Sequence, residues 1–343
     1  MKRPTIADLA QAAGVSTSTV SRLLHGGATV RSETVEHIVE TAERIGFYGK
    51  GTLRERRKPH RNLGFLMQQS HRPLYQLWAA QIVAAAARRT DTVIKANVLF
   101  EDDLAPEAVA TNLLSLGKDS DAVAVITADH PLVSQAIDEL RATRVPVVAY
   151  ITDLSAASRA GFVGTDNWKA GRTAAWFIRQ MVRERGKVFP LIGSHRHQCQ
   201  DISDASFRSY MREHAPDFDV SDTLLIHEDP GKARGIIRKL IDEHPDLRGI
   251  FVNDGGISGV LGAMRELSPE RQRKIRIVCR DLGPETRKGL SEGLFTASIC
   301  HPFDKMPQEL IDVMLRLVEC RDTPSIEQRL VPFEILTPES IWT

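Results

Sequence analysis

Thr17, Ser18, Ser21 and Arg22 stand close together in the segment Gly14-Val15-Ser16-Thr17-Ser18-Thr19-Val20-Ser21-Arg22-Leu23-Leu24. On a helix that buries Val20, Leu23 and Leu24, they face outward: three hydroxyls and a guanidinium with no acid among them. Hydroxyls and guanidinium groups bond phosphate oxygens and base edges, which a carboxylate would repel. An ordinary helical hairpin has no need of such a face. The residues around it supply its support. Ile6, Leu9, Ala10 and Ala13 form one apolar stripe, and Thr5 with Asp8 makes a T-x-x-D helix start. Gly14 suits the left-handed turn that ends this helix, and Ser16 can cap the next. This is a helix-turn-helix whose second helix is suited to a major groove. A third helix is expected from a Ser32 cap to Gly46, with Glu33 and Glu36 in its first turn. Its inward stripe is Val35, Ile38, Val39, Ala42 and Ile45.

Charge divides the chain the same way. Residues 1–61 carry 11 Lys+Arg against 6 Asp+Glu, a net of +5, while the remainder carries −4 within an overall +1. A basic headpiece on a mildly acidic body suits a polyanionic partner. Arg54, Arg56, Arg57, Lys58 and Arg61 crowd the stretch before Leu63, which reads as a solvated linker that can order on DNA.

The body alternates strand and helix. Apolar runs at Leu63–Met67, Val93–Leu99, Ala122–Thr127 and Val145–Ile151 are separated by helical stretches near 75–90, 106–117 and 131–142. A second series follows at Val188–Ile192, Leu224–Ile226, Gly249–Val252, Ile275–Cys279 and Thr296–Ile299. Such runs mean parallel sheets covered on both faces, here an α/β body of two doubly wound lobes with a ligand cleft between them. The expected organisation is a headpiece over 1–48, a hinge or linker over 49–62 and a core over 63–343. One lobe would be 63–163 with 303–322, the other 164–302 with 323–343. The chain has no run of 18 apolar residues and no apolar signal segment, so it is expected to be soluble and cytoplasmic, with no membrane partner. Cys199, Cys279, Cys300 and Cys320 show no C-x-x-C spacing and read as idle thiols in a reducing compartment.

From Thr5 to Arg22 the motif T-I-x-D-x-A-x-x-A-G-V-S-x-x-T-V-S-R runs without a gap and resembles the LacI-type (lactose repressor) family. The likeness continues through Gly164-Thr165-Asp166-Asn167-x-x-Ala170-Gly171, Phe251-Val252-Asn253-Asp254 and Val278–Leu282. It implies a regulator, expected to be a repressor, whose homodimer places two headpieces on a pseudo-palindromic DNA operator. The body would fold like a periplasmic sugar-binding protein, with effector binding in the cleft shifting DNA affinity. By position, Thr17, Ser18 and Arg22 would face base edges, while Thr5, Ser16, Thr19 and Ser21 would hold phosphates. The family's hinge helix inserts a leucine into the minor groove. Leu53 is the leucine at hand here, although Gly51 and a longer insert depart from the pattern, as does His25 where asparagine is common.

For the cleft, Asp166 and Asp281 fall at or just after strand ends, and paired carboxylates suit the adjacent hydroxyls of a sugar or polyol. Tyr75 and Trp78 could stack on a pyranose, and Asn253 offers both donor and acceptor. The family often grips ligand with an arginine ahead of a Gly-Phe pair. Ser203, before Ser206-Phe207, stands there instead, which favours a neutral carbohydrate; Gln198, Gln200 and Asp201 are the replacements at hand. His301 stands where glutamine is frequent. An enzyme is not expected, and neither is a cofactor. The serine of Gly255-Gly256-Ile257-Ser258-Gly259 is misplaced for a nucleophile elbow, and there is no P-loop. His195, His197 and Cys199 match no zinc spacing.

Overall fold

Thr5 and Asp8 form a reciprocal capping box: the Thr5 N–H and hydroxyl donate to Asp8 Oδ2, each at 2.7 Å, and the Asp8 N–H donates to Thr5 Oγ1 at 3.3 Å. It opens α1 (Ile6–Ala12); Gly14 follows at φ +63°, and Ser16 Oγ accepts the Thr19 N–H at the start of α2 (Thr17–His25). Helix α3 (Ser32–Ile45) begins one residue early, with Arg31 at the cap and no side-chain capping bond, and ends on Gly46 at φ +69°. In the computed structural model described here, residues 3–25, 30–253, 255–321 and 326–341 are described. Asp254 and the side chains of Ser32, Arg54 and Arg56 lie outside that description.

The expected linker is instead helical, as α4 (Lys50–Arg57). Its one apolar residue, Leu53, is fully buried in the headpiece core with Leu9, Val20, Ile38 and Phe47. This corrects the reading of Leu53 as a DNA wedge: in this fold its side chain is occupied in packing. The basic run is likewise partly paired, Arg57 with Glu36 at 3.7 Å and Lys58 with Glu55 at 2.7 Å.

The body begins with β1 (His60–Gln68), α5 (Pro73–Ala87), β2 (Val93–Glu101), α6 (Pro106–Lys118), β3 (Ala122–Val125), α7 (Pro131–Ala142), β4 (Val147–Tyr150) and β5 (Gly161–Gly164). There follow α8 (Asn167–Met181), β6 (Lys187–Ile192), α9 (Gln198–His214), β7 (Asp219–Val220), β8 (Leu224–Leu225), α10 (Pro230–Glu243), β9 (Leu247–Val252), α11 (Ile257–Arg265), α12 (Pro269–Lys274), β10 (Arg276–Arg280), α13 (Pro284–Ser291) and β11 (Ala297–Cys300). The chain returns through α14 (Lys305–Glu319), β12 (Glu327–Leu330) and β13 (Glu334–Leu336). By contacts the chain divides into two compact units: one runs to Arg61 and takes in Arg89–Lys95, the other is Asn62–Arg88 with the chain from Ala96.

The first sheet has the order β12-β5-β4-β3-β1-β2, the second β13-β11-β10-β9-β6-β7, with β8 also on β6. In each, the order reverses between a central pair, β1 and β3 or β6 and β9, and a crevice opens at the carboxyl ends of such strands. The inner strands β3, β4 and β10 are short and buried on both faces, as their apolar runs require. One expected boundary is corrected. Helix α14 packs on β3, β5 and α5, but β12 then pairs parallel with β5, so 327–330 belongs to the first sheet. Only β13 joins the second, antiparallel to β11. The exposed Glu-Gln-Arg-Leu sequence of β12 carries no apolar run by which to assign it.

Candidate functional site

On the headpiece, α2 presents the expected face. Thr17, Ser18 and Arg22 are exposed, Thr19 and Ser21 half-buried, and the first turn carries no acid. Ser16 Oγ lies 2.7 Å from Ser18 Oγ and 2.8 Å from Thr19 Oγ1, so three hydroxyls cluster at the positive end of the helix. Arg22 Nε donates to the Ser18 carbonyl at 3.2 Å, laying the guanidinium along the same face. Thr5, exposed at the head of α1, holds its hydroxyl on Asp8.

In the body, a cavity of about 670 Å³ lies between the carboxyl ends of the two sheets, the size of a small-molecule site. Tyr75, Trp78, Gln200, Asn253, Asp281 and His301 line it, as expected from the sequence. The Tyr75 hydroxyl donates to Gln68 Oε1 at 3.2 Å, and Asn253 Nδ2 donates to the Gln200 carbonyl at 2.8 Å. Trp78 is buried against Phe303, with ring centroids 4.3 Å apart, so the packing of its indole is already occupied on that side.

Three expected ligand residues are not brought to this cavity. Asp166 caps α8, accepting the Lys169 N–H at 3.0 Å and pairing with Lys169 Nζ at 3.1 Å. Gln198 reaches across the lobes to Asp129 Oδ2 at 3.3 Å, and Asp201 accepts His195 Nδ1 at 2.8 Å on an exposed surface. Ser203 is also elsewhere: fully buried, it donates to the Asn167 carbonyl between α8 and α9. Its departure from the family pattern therefore says nothing about ligand charge. Among the described residues no His, Cys, Asp and Glu group is placed to hold a metal.

At the floor of the cavity Asp281, His301 and Arg280 form a buried chain. Asp281 Oδ1 accepts from the His301 backbone N–H at 3.1 Å and from His301 Nδ1 at 2.6 Å. Arg280 Nη2 lies 3.1 Å from His301 Nε2 and donates to Thr165 Oγ1 and Asn167 Oδ1 at 3.3 and 3.4 Å. A guanidinium only donates, so Nε2 is the acceptor and Nδ1 carries the proton given to Asp281. Burial pushes the Asp281 carboxyl upward, but the His301 contacts and the nearby Arg280 charge outweigh it and hold it below the usual carboxylate range.

Sequence reasoning missed Arg280, Arg72, Glu228 and Gln69. Arg72, at the cap of α5, pairs across the cleft with Glu228 Oε2 at 2.8 Å. His197 stands 4.0 Å from Glu228, its imidazole held below its ordinary value by burial against the opposing pull of that acid. A signal for these residues exists only in three dimensions. Six described non-glycine residues have positive φ, and all but Arg144 line the cavity: Gln69, Ile151, His227, Glu228 and Asp281. Left-handed backbone is costly for such residues and gathers at sites that use it. Three buried polar atoms on the cavity wall also lack a hydrogen-bond partner: Gln69 Oε1, Trp78 Nε1 and Arg280 Nη1. Native interiors rarely tolerate this without a ligand or water to complete it.

Comparison with known proteins covers both the headpiece and the body. Residues 63–322 match the periplasmic binding protein domain family and residues 5–49 the lacI family of bacterial regulatory proteins. A sucrose operon repressor of Streptococcus mutans is 22% identical over 342 residues, 98% of this chain and 99% of the relative. The regulator GalR of Lacticaseibacillus casei is 34% identical over 131 residues, 36% of this chain and 39% of its own. Among solved structures, a carbohydrate transporter solute-binding protein from Agrobacterium radiobacter in complex with D-arabinose superposes with a TM-score of 0.73 at 16% identity, over 82% of this chain and 95% of that one. The glucose-galactose binding protein GanP of Geobacillus stearothermophilus gives 0.73 at 18% identity, over 83% and 99%. These two show the fold alone. The chain thus belongs to the periplasmic binding protein domain family and, with a lacI-family helix-turn-helix before that domain, is a LacI-type transcriptional regulator.

Proposed function

We propose that this regulator works as a cytoplasmic homodimeric repressor that reads a pseudo-palindromic operator through α2 and binds a sugar-like effector in the cleft of the body. The observation that carries the reading is the pairing, in one chain, of an acid-free hydroxyl–arginine helix face with a cavity whose wall holds unpartnered buried polar atoms. On DNA, Thr17, Ser18 and Arg22 address base edges, while Thr5, Ser16, Thr19 and Ser21 take phosphates. In the cleft, Asp281 and Asn253 take hydroxyls, and Tyr75 and His301 shape the wall. The mixed donors and acceptors suit a polyhydroxylated molecule. Similarity to a sucrose operon repressor supports a sugar signal, as does the D-arabinose in a structure of the same fold.

The chemistry is binding rather than bond-making: effector shifts operator affinity by its unequal affinity for the two lobe arrangements. A plain solute-binding protein is the competing reading, and the headpiece argues against it. A gel shift with random genomic fragments, with and without a carbohydrate panel, tests the proposal. Retarded fragments whose binding a sugar alters support it. No retention of any fragment overturns it.

A further inference from the structure

We propose that the effector is an acidic sugar, a polyhydroxylated monocarboxylate whose carboxylate docks on Arg280 Nη1 beside Trp78 Nε1; this rests on the cleft reading above. Arg280 is 7% exposed, and its Nη1 has no partner among the described residues. Its other nitrogen Nη2 meets only neutral acceptors, Thr165, Asn167 and His301 Nε2. The one carboxylate in the cluster, Asp281, is engaged by the His301 backbone N–H and Nδ1 instead. A buried guanidinium without a direct anionic partner is expensive, and a ligand carboxylate removes that cost.

Trp78 makes the same demand. It is 1% exposed, its Nε1–H has no partner, and its ring lies 6.2 Å from the His301 ring that Arg280 also touches. Two unsatisfied N–H donors, on side chains that both neighbour His301, fit an acceptor-only group, which a carboxylate is and a hydroxyl is not. Charge count argues against a phosphate. Arg72 is already paired with Glu228, and Asp229 and Glu285 stand on the cavity wall, so one guanidinium faces a wall that would repel a dianion. The remaining acceptors, Gln69 Oε1 and the Asp281 carboxylate, suit the hydroxyls of the same molecule.

The test is a thermal-shift and calorimetric panel on the full chain, with pentoses, hexoses, aldonates, uronates and sugar phosphates at millimolar concentration. D-glucuronamide serves as the uncharged isostere of D-glucuronate. An aldonate or uronate is expected to bind at least about 10-fold more tightly than its neutral counterpart. In Arg280→Gln that preference should fall by about 10- to 100-fold, the scale of a lost charge-assisted hydrogen bond. Trp78→Phe keeps the ring packing and should weaken the acid several-fold, so the proposal does not depend on one variant folding. Neutral sugars binding as well as acids, with Arg280→Gln indifferent, would overturn the acidic ligand and leave the sugar reading intact. Preference for a sugar phosphate would overturn it too. No stabilisation by any compound would overturn both readings together.

Discussion

At the scale of single residues, function rests on groups whose hydrogen bonds are incomplete within the chain. Arg22 is exposed and tied to the protein by one bond to the Ser18 carbonyl. Arg22→Ala should cost about 1–3 kcal/mol at a selected operator and relax preference at one base position, while Thr19→Ala should weaken all sequences more evenly. Competition gel shifts with single-base operator variants measure both effects; an unchanged base preference in Arg22→Ala would remove α2 from the groove. Asp281 is held at φ +62° by its N–H to the Ile299 carbonyl and by Ser298 Oγ on its own carbonyl at 2.7 Å. With the backbone fixed from both sides, Asp281→Asn should keep the fold but lose the charge that orients His301. Effector-induced thermal stabilisation should then vanish while operator binding without effector stays near the parent value. Asp281 was legible in the sequence because it follows an apolar strand run. Arg280, one residue earlier, was not, since a charged residue inside such a run gives no sign of which face it turns to.

At the scale of elements, α4 decides between two uses of the same residue. Local sequence favoured a solvated linker, given five basic residues and two glycines around it. Tertiary packing prevails because Leu53 completes the headpiece core, a small one in which each buried side chain counts heavily. Leu53→Ala should therefore destabilise the headpiece by about 2–5 kcal/mol, and Leu53→Met by less than about 1.5 kcal/mol. Limited proteolysis within residues 5–57 of the full chain, read against body unfolding, separates this from a role on DNA. A residue acting only as a groove wedge would leave protection unchanged and lower operator affinity alone. The strands show the same limit of sequence reading. Runs such as Ala122–Val125 and Val147–Tyr150 announce themselves because both faces are buried, whereas β12 is an edge strand defined only by its pairing with β5. Asp166 fails for a related reason: a strand-end aspartate before a helix reads equally as a ligand group and as a cap, and here capping α8 uses it.

At the scale of the molecule, the two lobes are bridged by several contacts beside the cleft. The Asp129 N–H donates to the Arg196 carbonyl at 2.8 Å and the Cys199 N–H to Thr152 Oγ1 at 3.3 Å, while the Arg72–Glu228 pair adds another. Gly255 is part of that clasp, because a Cβ there would collide with Arg72 Nη1. The first contacts rest on backbone groups, whereas the partly buried ion pair, with a further bond from Arg72 Nη2 to the Glu228 carbonyl, depends on the Arg72 side chain. Removing one partner leaves the other charge stranded near the cavity, so the closed arrangement loses more than the worth of a surface pair. Arg72→Ala should shift the body toward the open arrangement and weaken effector binding by about 5- to 150-fold, the usual range of coupling between two states. The effector's influence on operator affinity should change as well, and by reciprocity the operator should alter effector affinity by that same changed factor. Small-angle scattering without ligand should show a larger radius of gyration for Arg72→Ala, and Glu228→Leu combined with Arg72→Met should recover part of the closed population by removing both charges. If Arg72→Ala bound effector as the parent does and scattered identically, closure would reside in the Asp129 and Thr152 contacts, and the clasp would have no part in the switch.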